Sequence, residues 1–433
     1  MTTASFLALS ALRAQDLAVV DPAIDYGAAA ADADSLETPT APDGPSQLAA
    51  PTTPDEAAAL DQTLYGEDQA IADANAEPSA QGRPWKFNLH ASIGSRYDDN
   101  IFISETDKKA DFVTRATTGA GFTLGDYTDK QGNFLTADYT GIGEIFARNT
   151  SQDAYEQTGE LQGQTVFAHL TLTGDLQFQD LADEDIDTGT RTRRQVYVGD
   201  FSARYDISAK TFLEATAQVT VAKYALYLDS DDERGGLSFN YLPDPSVTVG
   251  LGAMAGVLHV EDSGNQTYEQ LLASLKVAFT DKFTLASSAG VEDRQLEDGG
   301  SFVTPVFQLT GDYKPFAGLD LTLTGYRQVL NSAFYTGSDY ITTGVSAGVR
   351  YDLSSRFSLL LDGGYQNSAY RAVTTGASIA RTDNYYFVRP AVRYTASSHC
   401  NVELYIFHRD NASTVGSSSF INNQVGVTVN FAF

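Results

Sequence analysis

The chain closes on Val425-Gly426-Val427-Thr428-Val429-Asn430-Phe431-Ala432-Phe433, with an apolar residue at every second position. A period of two puts alternate side chains on opposite faces of an extended strand, so this segment has one apolar and one polar face. The same alternation recurs upstream. Leu319, Leu321 and Leu323 interleave with Asp320, Thr322 and Thr324, and Val402, Leu404 and Ile406 with Glu403 and Tyr405. From Trp85 onward no comparably long segment carries a helical period.

The alternating strands are organised as a repeat. An aromatic residue ends one strand, a short polar or Pro-containing turn follows, and a new strand begins. Tyr205, Tyr241, Phe279, Tyr313, Tyr351 and Tyr394 mark these points, at spacings of 36, 38, 34, 38 and 43 residues. Each spacing fits two strands, one tight turn and one longer polar connection. Leu181–Arg191, Glu261–Thr267, Gln295–Ser301 and Thr374–Thr382 read as the longer connections. Tight turns at one end and long polar loops at the other are the layout of a transmembrane, antiparallel, up-and-down β-barrel. The spacing predicts an all-β fold of about 18 strands (16–18), with both termini on the tight-turn side.

Composition decides which face meets what. The chain is 42% hydrophobic, too little to fill a soluble barrel of this size. The polar faces carry Gly, Thr, Ser, Gln and charges at mid-strand. The apolar face therefore points to lipid and the polar face lines the lumen. Aromatics beside the turns lie where an interfacial girdle belongs. No run of 18 apolar residues exists, which removes a membrane-spanning helix without touching the barrel reading. A net charge of −28 makes nucleic acid a poor partner, and the single cysteine removes a disulfide framework.

Residues 1–84 have another texture. They hold eight of the 13 prolines and 14 acids, against Arg13 and Arg83 as the only bases. Residues 1–14, with the apolar run Ser5–Leu12, read as the remnant of a secretory signal. Residues 15–84 read as an acidic, Pro/Ala-rich periplasmic arm, mostly disordered, with capping signals for one short helix at Thr53–Glu56. Residues 85–433 form the barrel.

Two further motifs carry a resemblance. The last strand ends in Phe431-Ala432-Phe433, similar to the C-terminal signal read by outer-membrane barrel assembly machinery. Phe87–Tyr97 alternates and runs into Tyr97-Asp98-Asp99-Asn100-Ile101-Phe102. A first strand with that ending, followed by a barrel of this length, resembles the putative β-barrel porin type 2 family of Gram-negative bacteria. The resemblance spans about 85–433. It implies an outer-membrane location, contact with lipid and lipopolysaccharide, and a channel for small hydrophilic solutes. Some barrels of that group are associated with exopolysaccharide production and export, which makes an accessory export barrel the alternative.

No reaction chemistry stands out. Gly344-Val-Ser346-Ala-Gly348 matches the nucleophile-elbow pattern but sits mid-strand, where the required strand-to-helix turn is missing. An outer-membrane lipase is thus a remote third reading. His90, His169, His259, His399 and His408 lack ligand spacing, so no metal and no cofactor are expected. Asp183-Glu-Asp185-Ile-Asp187-Thr-Gly189 resembles a calcium loop only briefly and reads as a solvated acidic loop. The informative charges are those on the inward parity. Arg204, Arg350, Arg389 and Arg393 point inward, as do Glu214, Glu292, Asp362 and Glu403, and these are the expected pore-lining residues. They either set the field a solute crosses or pair across strands, as Arg393 would with Glu403.

Overall fold

In the computed structural model the described residues are 85–125, 132–297, 299–373 and 380–433. The expectations for 1–14 and 15–84 lie outside them. Eighteen strands follow one another along the chain: β1 (Trp85–Asp98), β2 (Asp111–Gly125), β3 (Phe134–Phe146), β4 (Ala154–Val166), β5 (Leu170–Asp185), β6 (Thr190–Ser208), β7 (Thr211–Tyr224), β8 (Ser230–Asp244), β9 (Val247–Val260), β10 (Gly264–Thr280), β11 (Phe283–Leu296), β12 (Ser301–Phe316), β13 (Leu319–Asn331), β14 (Ser338–Ser354), β15 (Phe357–Ala372), β16 (Thr382–Ser397), β17 (Cys400–Ser413) and β18 (Phe420–Ala432). Each pairs antiparallel with its sequence neighbours, and β1 pairs with both β2 and β18. The sheet is therefore a closed barrel without edges.

Directly paired residues share a face, so the register sorts every side chain. One parity carries exposed apolar residues around the ring: Ile93, Ile145, Leu251, Val303, Val345 and Leu404 are examples. Tyr205, Tyr241, Phe279, Tyr313 and Tyr351 lie on this outward parity beside the tight turns, exposed as a girdle requires. Aromatic pairs such as Phe283 with Tyr313 and Phe316 with Tyr351 tie adjacent hairpins there. The opposite parity is polar. The apolar-out, polar-in arrangement is that of a barrel immersed in lipid.

The repeat has a backbone counterpart at the turn end. Leu242 N donates to Lys210 O, Ala278 N to Ser246 O, Lys314 N to Lys282 O, and Asp352 N to Gly318 O. Each tight turn thus staples the next. Gly318, at φ +86°, occupies a left-handed position that a side chain would strain.

At the opposite end the sequence reading needs correction. Three of the four connections expected to be long are short, whereas 373–381 between β15 and β16 is long. Leu181–Asp185 and Thr190–Arg191 belong to strands, leaving only 186–189 between them, and the β9–β10 connection is 261–263. Charged residues occupy both faces of the β5–β6 tip, which hides the period of two while the ladder continues.

The Tyr97–Phe102 motif clasps the barrel seam. Asp98 accepts from Asn422 Nδ2 (2.6 Å) and Gln424 Nε2 (2.9 Å) on β18, and from Asn100 N (2.8 Å). Asp99 accepts from Asn423 N and Nδ2 at 2.7 Å each. Asn100 Nδ2 donates to Ser104 O and Ile421 O. Ile101 and Ile103 are thereby turned inward and fully buried. At the turn end Leu89 and Phe433 exchange backbone hydrogen bonds of 3.0 and 2.8 Å. Phe431 and Phe433 both stand on the outward parity, and Phe433 is 70% exposed.

Candidate lumen and its constriction

The inward face divides into two zones. Nearer the turn end, Asp138, Glu160, Asp175, Ser202, Thr310 and Thr324 are half-buried and face the lumen. The side chains here are short or charged, and carboxylates face each other across the ladder: Asp138 opposite Glu160, and Asp175 opposite Asp200. Like charges directly opposed weaken a sheet unless water or counter-ions screen them.

At the loop end the lumen is filled. β5 pairs with β4 only as far as Asp180, and β6 pairs with β7 only from Arg194. Beyond those points the two strands pair only with each other. This free hairpin leaves the wall and crosses the interior, a reach of about 20 Å for six residues at about 3.3 Å each. Leu181, Glu184, Asp185, Ile186, Asp187 and Thr188 are all buried, so both faces of the hairpin are covered. Asp183–Gly189 is therefore an interior tip, not the solvated acidic loop its composition suggested.

The tip docks on the far wall. Asp187 accepts from Ser332 Oγ (2.9 Å), Ala333 N (2.7 Å), Phe334 N (3.3 Å) and Tyr370 Oη (2.8 Å). Arg381 donates to Asp187 O (2.7 Å) and Ile186 O (2.9 Å) and is itself held by Asp383. Its guanidinium lies 4.5 Å from the Tyr370 ring centre. Ile186 packs into an aromatic floor with Tyr385, Phe387, Phe407 and Phe420, joined by Ile103. At the base of the hairpin Arg191 bridges Glu144 (2.7 Å) and Glu184 (3.2 Å). Arg96 holds the other oxygen of Glu144 at 2.9 Å, and Arg409 reaches Glu184 at 3.2 Å. Burial and the neighbouring Asp185 carboxylate push the Asp187 carboxyl up to about 6. Arg381 is pushed upward by the groups around it and keeps its charge.

The β13–β14 connection closes the other side. Ala333 O accepts from Leu228 N (2.9 Å), Gly337 N donates to Ser263 Oγ (2.7 Å), and Asp339 accepts from Gln266 (3.0 Å) and Arg294 (3.2 Å). Among the described residues, 99–110, 186–189 and 332–337 thus fold into the loop end.

All eight expected lining residues lie on the inward parity, but mostly in pairs. Arg389 and Arg393 both donate to Glu403, the latter at 2.8 Å. Asp362 stands opposite Arg389 and Glu214 opposite Arg204. Arg204 also bonds Asp206 (2.9 Å) and lies over the Phe212 ring, while Arg350 contacts Asp352 (3.3 Å). Glu292 accepts from Arg294 and Gln270 at 2.8 Å each. Sequence reasoning missed Asp187, Ser332, Tyr370 and Arg381. The available signal was the isolated Ile186 within an acidic run, an apolar residue that a solvated loop has no use for.

Among the described residues no group of three or more His, Cys, Asp or Glu is placed to hold a metal. Ser346 faces Thr324 and Gly364 across the sheet, neither of which can act as a base.

Residues 308–433 match the family model described as "Putative beta-barrel porin 2", which includes the Phe431–Phe433 ending and not the Tyr97–Phe102 motif. The match covers the last part of the barrel, β13–β18 and the end of β12. No curated protein matches the chain. Among solved structures, OccK2 (OpdF) of Pseudomonas aeruginosa, in complex with glucuronate, is 10% identical, with 81% of this chain and 98% of that one covered, at a TM-score of 0.43. OccAB3 of Acinetobacter baumannii is 10% identical, covering 80% and 99%, at 0.42. OprD of Pseudomonas aeruginosa is 11% identical, covering 82% and 97%, at 0.41. Similarity at that level bears on neither solute nor mechanism.

Proposed function

We propose that the protein is a porin-like channel of the outer membrane that passes small hydrophilic solutes by passive diffusion. The carrying observation is the inverted polarity of a closed barrel: an exposed apolar outer band around a polar interior that is half-buried along part of its turn half. A wall built this way is stable only with lipid outside and water inside. In this reading the loop end faces outward among lipopolysaccharide. The turn end, both termini and the acidic arm of residues 15–84 face the periplasm. Phe431 and Phe433 serve as the signal for barrel assembly machinery. The lumen runs past Arg204, Arg350, Arg389, Arg393, Glu214, Glu292, Asp362 and Glu403. Because Arg389 and Arg393 are matched by Glu403 and the facing Asp362, the field in the lumen comes mainly from Asp138, Glu160, Asp175 and Asp200, which favours cations.

The test is planar-bilayer recording of refolded protein under a KCl gradient. Discrete current steps with a weak cation preference that fades at high salt are expected, since screening shortens to about 3 Å at 1 M. An anion-selective channel would contradict the charge reading. No current in any preparation, including the Asp187→Ala variant, would contradict the pore reading.

A further inference from the structure

We infer that the β5–β6 tip is a releasable latch that holds the loop end of the channel shut, with Asp187 as its catch. The inference rests on the pore reading and adds its regulation.

Three observations carry it. First, the hairpin shares a backbone ladder with the wall only at its base, and above it side-chain pairs such as Glu184–Arg409 and Arg191–Glu144 make the contact. Above Asp180 and Arg194 it has no ladder partner but itself, so it can swing without breaking the barrel sheet. Second, its contact with the β13–β15 side centres on one carboxylate, beside the Glu184–Arg409 pair and the Tyr224 hydroxyl on Asp185. Asp187 collects donors from the β13–β14 connection and from Tyr370, and the backbone carbonyls beside it take Arg381. Leaving the wall would strand those donors together, so the contact is cooperative and the tip is either docked or away. Third, the receiving side is pre-built. Arg381 is fixed by Asp383 and by the Tyr370 ring, so it holds its place whether or not the tip is present.

The tip also differs from an ordinary packed core. Its buried charges are matched by groups on other strands. Ile186 is its only large apolar anchor on the floor of Tyr385, Phe387, Phe407 and Phe420. A tip held mainly by polar contacts, with Ile186 as its one large apolar anchor on that floor, is suited to exchange between two positions.

The test uses a redox tether in a Cys400→Ser background. Asp187→Cys with Ser332→Cys places two thiols on side chains that meet in the docked state. Oxidation, or a short bis-thiol reagent, locks the tip down, and reduction leaves it without its catch. Single-channel conductance is read on the same molecules before and after reduction, with heat-modifiable mobility confirming the folded barrel. The latch predicts a several-fold rise in open-channel current on reduction, reversed by reoxidation, with Asp187→Ala matching the reduced form. Equal current in the locked and reduced states would overturn the latch and leave the pore reading standing. Silence in all forms would overturn both.

Discussion

The turn half of β3–β6 and the loop end of the same barrel treat the same kind of residue in opposite ways. Near the turns, charged inward side chains such as Asp175 and Asp200 face each other and stay half-exposed. Near the loops, Glu144, Glu184 and Arg191 are buried and matched in a shared network. The strands are continuous between the zones, so wall geometry is not the cause. At the loop end the entering hairpin excludes water, whereas at the turn end burial is confined to places where charges pair within the wall, as Glu403 does with Arg389 and Arg393. Inward parity alone therefore does not make a residue pore-lining; its level along the barrel matters as much.

The sharpest way to break this comparison is to strip a charge from each zone. Glu144→Ala leaves Arg96 and Arg191 buried without their shared partner and should destabilise the barrel by about 3–5 kcal/mol. Asp200→Asn relieves a like-charge pair in water and should be neutral or stabilising, within about 1 kcal/mol. Both are read as shifts in the midpoint of heat-modifiable mobility. Equal losses would mean that the turn half is as dry as the loop half.

The outward band provides the next contrast. Leu251→Arg, on the lipid parity, should cost about 2–4 kcal/mol, whereas Thr324→Arg on the lumen parity should cost much less. Urea unfolding in lipid vesicles measures both. Phe433→Asp lies at the bilayer boundary, where the same principle gives about 0–1 kcal/mol. A large drop in the amount of assembled barrel in cells, with little change in refolded stability, would assign Phe433 to recognition by the assembly machinery.

The smallest expected effect is pH dependence. The docked Asp187 carboxyl is raised to about 6 from an ordinary 3.8. The docked state then binds a proton more readily than the released one, so docking strengthens as pH falls through 6 towards 4 and weakens as pH rises through 6. The groups facing it are Asp185 on its own hairpin, Arg381, Tyr370 and Asp383 opposite, and Tyr224 and Tyr227 alongside. Channel current should decline modestly on acidification over that window, and Asp187→Ala should flatten the response. A wild-type current that rises on acidification would reverse the sign and discard Asp187 as the titrating group.

Much of this was legible in the sequence, and for a physical reason. A lipid-facing strand must show its apolar residues at a period of two, so Val425–Phe433 and Leu319–Thr324 declared both strand and parity. The repeating aromatic-plus-turn unit fixed strand number and the turn end. The seam motif at Tyr97–Phe102 was visible as a pattern, while its work, clasping β1 to β18 through Asp98 and Asp99, depends on residues more than 320 positions away. The latch was illegible for the same reason. Asp187 meets Ser332, Tyr370 and Arg381 only once the ring has closed, and local composition describes it as a solvated acidic loop. Pairing of Arg393 with Glu403 could be anticipated because the two are close in sequence and directly opposed in register.

The central claim is an inside-out barrel with water along the turn half of its interior, and three neighbouring positions on β14 test it directly. In a Cys400→Ser background reconstituted in vesicles, Val345→Cys, Ser346→Cys and Thr342→Cys are exposed in turn to a water-soluble, membrane-impermeant thiol reagent. Val345 points outward, Ser346 inward in the half-exposed zone, and Thr342 inward where the lumen is filled. The account predicts rapid labelling at position 346, protection by lipid at 345, and slow labelling at 342. Rapid labelling at 345 with protection at 346 would mean that the apolar face is the wet one, and the account would be wrong.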